Sequence, residues 1–314
     1  FLALLIFGLT YEFPYAIYKP GGSINMSDRV EGDNMYDEKG SLSMTYVSVV
    51  RGTAPFLLVS FLNSNWDVVP TKDITYDDAD LDETLEIDKI YMKEAISNAE
   101  YVAYDRANIR YVEKEKHSVV TYVSKDAKTK LKYGDEIVSI DGRDYTTLLE
   151  FQNYVSAKKP GDEVRIEYIR EGDNAVDVVT LIDVEGKAKV GLSIATISDF
   201  ETDFDIDIKT KESESGPSGG FITALAIYNR ITEEDLTKGK TIMGTGTIDR
   251  DGVVGEIGGV KYKLLGAVRK GAEVFLCPEE NYEEALKVKK ETELDIVLLS
   301  AKTFDEALQK LAEL

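Results

Sequence analysis

The chain is nearly empty of the residues from which most hydrolytic and metal sites are built. Its 314 residues include one histidine, His117, and one cysteine, Cys277. A single cysteine excludes an intramolecular disulfide framework and any cysteine-rich metal site. A single histidine excludes a histidine-rich zinc site within one chain, and a Ser-His-Asp triad would have to use His117. Basic residues are also scarce: 37 Lys and Arg against 58 Asp and Glu leave a formal charge of −21, with no long basic run. Nucleic acid is therefore not expected as a partner, because binding would have to overcome that repulsion.

Charge of either sign is nearly absent from the start, where "FLALLIFGLTYEFPYAIY" is broken only by Glu12. This run is slightly short of a full span of about 20 residues. The chain begins with Phe1 rather than Met, so it reads as truncated at its N-terminus. A buried core helix and a cleaved signal peptide are the competing readings, although no small-residue cleavage signature stands out. The expectation is a transmembrane anchor over residues 1–18, with the acidic remainder outside the cytoplasm.

What the chain does contain is a serine in an unusual setting. In "SESGPSGGFITALAIYN", residues 213–229, Ser218 lies between Pro217 and a glycine pair. The preceding "FDIDIKT" alternates like a strand, and Phe221, Ile222, Leu225 and Tyr228 recur at helical spacing. Ser218 thus falls at a strand-to-helix turn, at or next to the N-cap. A capping serine is the plain reading. A cap, however, has no need of Gly219 and Gly220, which clear space beside the hydroxyl for a second chain. That arrangement suits a nucleophile with an oxyanion site.

"YKPGGSINMSDRVEGD" reads as a turn-rich exit from the anchor. "GSLSMTYVSVVRG" has strand character and is followed by "FLLVSFL". Residues from about 83 to 110 carry helical spacing through Ile90, Ala95, Ile96, Ala99 and Val102, after an acidic loop. Residues 112–185 are rich in strands: "SVVTYV", a hairpin-like pair turned at Asp141-Gly142, a helix capped by Thr146 or Thr147, and a strand pair turned at Gly172-Asp173. Through "LKYGDEIVSIDGRDYTTLLEF" and "KKPGDEVRIEYIREGD" this unit resembles a bacterial-type PDZ domain. The resemblance implies capture of an extended peptide between the "HSVVTYV" strand and the Thr147–Ser156 helix.

From residue 186 onward strands and helices mix. Three glycine patterns here fail as phosphate cradles: "GTGTID" lacks a third glycine, "GKT" has Glu234 where a P-loop needs glycine, and "GEIGGVK" has no following Ser or Thr. With histidine nearly excluded, a base for Ser218 must come from Lys, Asp or Glu. A lysine works only when neutral, which burial achieves. "GEIGGVKYKLLGAVRKG" offers Lys261 and Lys263 at a helix start, and wheel geometry does not choose between them.

"GPSGG" followed by "MGTGTIDRDGVVGEIGGVKYKLLGAVRKGAEVFLCPEEN" resembles the proteolytic domain of Lon-type serine peptidases. The resemblance implies Ser218 as nucleophile and Lys263 as general base, with Thr245 and Gly219 in support. Two residues depart from the family's pattern: Ser215 stands where Asp is common, and Gly219 where Ala or Ser is usual. "YMKEAISNAEYV" resembles the family's Met-Lys-Glu-Ser-Ala helix, with Ala95 for Ser, so residues 19–111 are expected to join the peptidase fold.

The expected fold is α+β: a ribosomal-S5-domain-2-like Lon-type domain over residues 186–314, with the PDZ unit and an N-terminal anchor. As a whole the chain is similar to membrane-anchored PDZ-containing Lon-like peptidases of Gram-positive bacteria. That likeness implies an ATP-independent serine endopeptidase without cofactor or metal, forming an oligomer at most with itself. It would act outside the cell on exported peptides or small membrane and secreted proteins. A non-catalytic, membrane-tethered PDZ adaptor is the alternative.

Overall fold

The computed structural model describes residues 9–76, 79–145 and 147–314. Its principal strands are β1 (Glu12–Asn25), β2 (Ser41–Thr53), β3 (Asp67–Pro70), β4 (Tyr111–Val123), β5 (Glu136–Ile140), β6 (Glu163–Arg170), β7 (Asp173–Thr180), β8 (Leu192–Thr202), β9 (Thr241–Gly244), β10 (Val274–Pro278) and β11 (Val297–Ala301). The helices are α1 (Ala54–Ser60), α2 (Leu81–Arg106), α3 (Leu148–Ser156), α4 (Gly220–Ile231), α5 (Val260–Arg269), α6 (Glu279–Glu291) and α7 (Phe304–Ala312).

The N-terminal expectation needs correction. Residues 12–18 are strand: β1 pairs antiparallel with β2 from Glu12↔Thr53 to Asn25↔Ser43, and with β3 on its other edge. Pro14 and Pro20 would each interrupt a helix, whereas here they sit at register shifts in β1, and the neighbouring aromatic and β-branched residues suit an extended backbone. The turn-rich exit expected from Tyr18 is, as far as Asn25, the same strand. Residues 1–8 of the expected anchor lie outside the described residues. Among the described residues, no helix is long and apolar enough to cross a membrane.

One six-stranded sheet runs in the order β11-β10-β9-β2-β1-β3, so residues 12–70 and 241–301 build it together. Alternation decides what each face meets. Ile242, Val274 and Leu276 pack with α2, α4 and α7, while Met243, Phe275 and Cys277 pack with α5 and α6. Both faces are thus buried, and each fully covered large apolar side chain contributes roughly 1.5–3 kcal/mol.

The five-stranded sheet, β8-β4-β5-β6-β7, has its own core around Ile140, Phe151, Val155, Val164 and Ile166. The Asp141-Gly142 turn is present with both φ positive, 52° and 70°, but the strand expected after it shrinks to one bridge, Ile140↔Arg143. The next turn is Glu171-Gly172, one residue earlier than expected. Thr147 caps α3 by accepting the Glu150 amide; Thr146 lies outside the described residues.

The sheet's edge also corrects the expected peptide groove. The "HSVVTYV" strand, β4, is interior, flanked by β8 along its length and by β5 at Ser118–Val119. Around Ser118–Val120 both of its sides are already hydrogen-bonded, so no peptide can add a strand there. The edge strand is β8, whose Ile194 lines a small pocket with Tyr145, Leu148 and Phe151. Farther along β8, α2 covers the same edge: Glu94 accepts the Thr196 amide at 2.8 Å and Ser97 Oγ accepts the Ser198 amide at 2.9 Å.

Candidate active site

Ser218 sits in a 3₁₀ turn, Pro217–Gly219, immediately before α4, whose N-cap is Gly219. No side-chain capping bond is made there, so Ser218 is not used as a cap. The turn is pinned from three sides. The Gly216 amide donates to the Asp88 carbonyl at 3.0 Å, and the Ser218 carbonyl accepts the Gly246 amide at 2.8 Å. Thr245 Oγ1 donates to that same carbonyl at 2.9 Å.

Lys263 approaches from the other side of the six-stranded sheet. It lies in the first turns of α5, whose N-cap Gly259 has a φ of 70°. An L side chain there would be strained, and a Cβ would meet Val47 Cγ2 at 2.9 Å. The glycine therefore fixes the entry of α5, and with it the direction of Lys263. Lys263 Nζ lies 2.8 Å from Ser218 Oγ and donates to Thr245 Oγ1 at 2.9 Å. Lys263 and Thr245 are 3% and 0% exposed. Burial pushes the lysine amine down to about 7, from its ordinary 10.5. Lys261, left open by the local text, points elsewhere: its Nζ pairs with Asp67 at 2.6 Å, half in solvent. His117 belongs to the five-stranded sheet, with Nδ1 2.6 Å from Glu136.

The two glycines after Ser218 do different things. Gly219 faces Met44, whose Sδ would stand 2.6 Å from an added Cβ. The thioether thus fills the space that a methyl at this position would take. Gly220 faces α2, where an added Cβ would stand 3.1 Å from Ala95 Cβ. Its role is close helix packing rather than access to the hydroxyl, so the space beside both glycines is taken up by neighbours and not, as the sequence reading expected, left for a second chain.

Ser218 opens into a cleft of about 870 Å³ lined by Met26, Met44, Tyr46, Met92, Ile208 and Lys263, among others. Asp88 and Glu256 also line it. Neither residue was singled out by sequence. Asp88 holds the loop through its backbone carbonyl, which leaves no mark in the text, whereas Glu256 was signalled only by standing beside Gly258-Gly259.

Residues 192–313 match the Lon protease (S16) C-terminal proteolytic domain, and residues 108–181 match a PDZ domain. The Lon protease of Geobacter metallireducens is 31% identical over 113 residues, 35% of this chain and 14% of that protein. Lon protease 2 of Bacillus subtilis is 28% identical over 182 residues, 55% of this chain and 32% of that protein. The chain thus spans a third or less of the length of these relatives. A solved PDZ domain of an SdrC-like protein from Listeria monocytogenes is 29% identical, covering 26% of this chain and 90% of that one, with a TM-score of 0.25. The chain therefore carries a PDZ domain and a Lon-type proteolytic domain, and the latter, with the Lon relatives, supports a serine peptidase.

Proposed function

We propose that this chain is a serine endopeptidase that works without ATP, with Ser218 as nucleophile and Lys263 as general base. The observation that carries this reading is a buried amine, brought to about 7, at 2.8 Å from the serine hydroxyl. When neutral, the amine gives one N–H to Thr245 and turns its lone pair toward Ser218. It takes the Oγ proton as Oγ adds to a peptide carbonyl. Amides around Ser218 and Gly219, at the positive end of α4, receive the oxyanion; losing one such donor typically costs about 10²–10³ in rate. The ammonium then protonates the leaving amine, and the acyl-enzyme remains. Water attacks the ester as Lys263 again takes a proton, which returns to Ser218 Oγ on release.

Substrate would be recruited by strand addition to β8 at Leu192–Ile194, short of the stretch that α2 already covers. Exported peptides and small membrane or secreted proteins suit a cleft with no unfolding motor in this text, and action at a membrane outside the cytoplasm belongs to the same proposal. The test incubates wild type and Ser218→Ala with casein and a peptide library, with and without ATP, and reads cut sites by mass spectrometry. Cleavage by wild type alone, unchanged by ATP, is expected. Equal cleavage by Ser218→Ala, or none by either with PDZ-tagged substrates, would remove the catalytic reading in favour of the adaptor.

A further inference from the structure

Among the described residues, the three most exposed large apolar side chains sit together. Leu58, Phe61 and Leu62 are 67%, 83% and 85% exposed, the first on α1 and the others in the turn after it. Residues 54–66, "APFLLVSFLNSNW", contain no charged residue in a chain of which 30% is charged. Residues 9–11, also uncharged, enter beside it, because Glu12 pairs with Thr53, the residue before α1. Leu9, Tyr11, Phe13 and Tyr15 add exposed apolar surface there. At the rim, Lys19 Nζ lies 5.1 Å from the centre of the Trp66 ring and 6.0 Å from that of Phe56.

We propose that this face, the tip of α1 together with the entry of β1, inserts into the surface of a lipid bilayer. An uncharged apolar tip rimmed by tryptophan, tyrosines, Lys19 and the mutually paired Glu12 and Arg51 is a composition that lies at a bilayer interface. A second copy is a poorer occupant, because two chains each carrying −21 repel one another. The same net charge works against adhesion to anionic headgroups, so attachment comes from apolar burial: zwitterionic lipid suffices and salt changes little. Tyr46, Val47 and Val49 of β2 line the cleft and lead directly into α1, so a docked tip would hold the cleft close to the membrane surface. None of this depends on the roles given to Ser218 and Lys263.

Trp66 is the chain's single tryptophan and reports directly. The full chain is mixed with phosphatidylcholine vesicles, plain and brominated in the acyl chains, at low and high salt. The expected result is a blue shift of Trp66 emission and quenching by brominated lipid, alike at both salt levels. The combined variant Leu58→Ser, Phe61→Ser, Leu62→Ser should lose at least about tenfold in vesicle partitioning, with unchanged Tm, and Leu62→Ser alone should lose part of it. Absence of quenching overturns the proposal. So does a variant that partitions like wild type, which would assign binding to residues 1–8. A wild type that sediments as a dimer without binding lipid, and a variant that sediments as a monomer, would assign the face to a second copy.

Discussion

A lysine in water holds its proton at neutral pH and cannot act as a base; burial brings the Lys263 amine to about 7, where the neutral form the proposed role needs is populated. If it is the base, kcat/KM should fall about tenfold per pH unit below that value and level off above it. The stability consequence has a definite sign. The folded pKa lies below the ordinary 10.5, so between about 7 and 10.5 the unfolded chain binds the extra proton and stability rises with pH. Lys263→Met should therefore melt higher than wild type at about pH 6, the difference shrinking toward pH 10, while cleavage is lost. Thr245→Val removes the acceptor that favours the ammonium. Its pH–rate profile should move to lower apparent pKa and its kcat/KM should drop by about ten- to a hundredfold, read in parallel assays.

At the scale of elements, α2 does the most joining. It packs Ala95 against Gly220, Glu94 and Ser97 against β8, and Ala99, Val102 and Ala103 against the main core. Its Glu100 is half-buried, with Asp199 and Asp207 nearby, and desolvation raises its carboxyl to about 8. The folded chain therefore binds more protons than the unfolded one between about 4.5 and 8, and this group's contribution declines as pH rises through that window. Glu100→Gln should add more unfolding free energy at about pH 9 than at about pH 5, by at least about 1 kcal/mol, measured by calorimetry. The helical text of α2 was legible because its apolar spacing is local, although the capping box of Asp80 and Glu83 that starts it was read only as an acidic loop. β1 was not legible, because an uncharged run becomes strand only when β2 and β3, encoded tens of residues later, supply its hydrogen bonds.

For the whole molecule, β8 is the shared part: an edge of the five-stranded sheet over Leu192–Ile194, then a surface gripped by α2, which touches the residue after the Ser218 turn. Ile194→Asp places a charge in the small pocket beside Leu148 and Phe151. It should lower kcat/KM for proteins with an accessible C-terminus at least about tenfold relative to that for short peptides. Equal loss for both substrates would place the defect in folding or in the cleft.

The local text by itself determined the serine turn, the α5 entry at Gly258-Gly259 and the Asp141-Gly142 turn, because each is a backbone geometry that particular residues impose on their own neighbours. It also narrowed the candidate base to Lys, Asp or Glu through the scarcity of histidine, and only the Lon resemblance pointed to Lys263. Only the tertiary structure decided the rest. Lys261 and Lys263 share a helix, and one meets Asp67 while the other meets Ser218, a difference set by what packs against each face. Which strand is an edge, whether residues 12–25 are sheet, and why Gly220 must be glycine all depend on partners distant in sequence. Pairing and close packing are properties of two segments at once, and neither segment carries them alone.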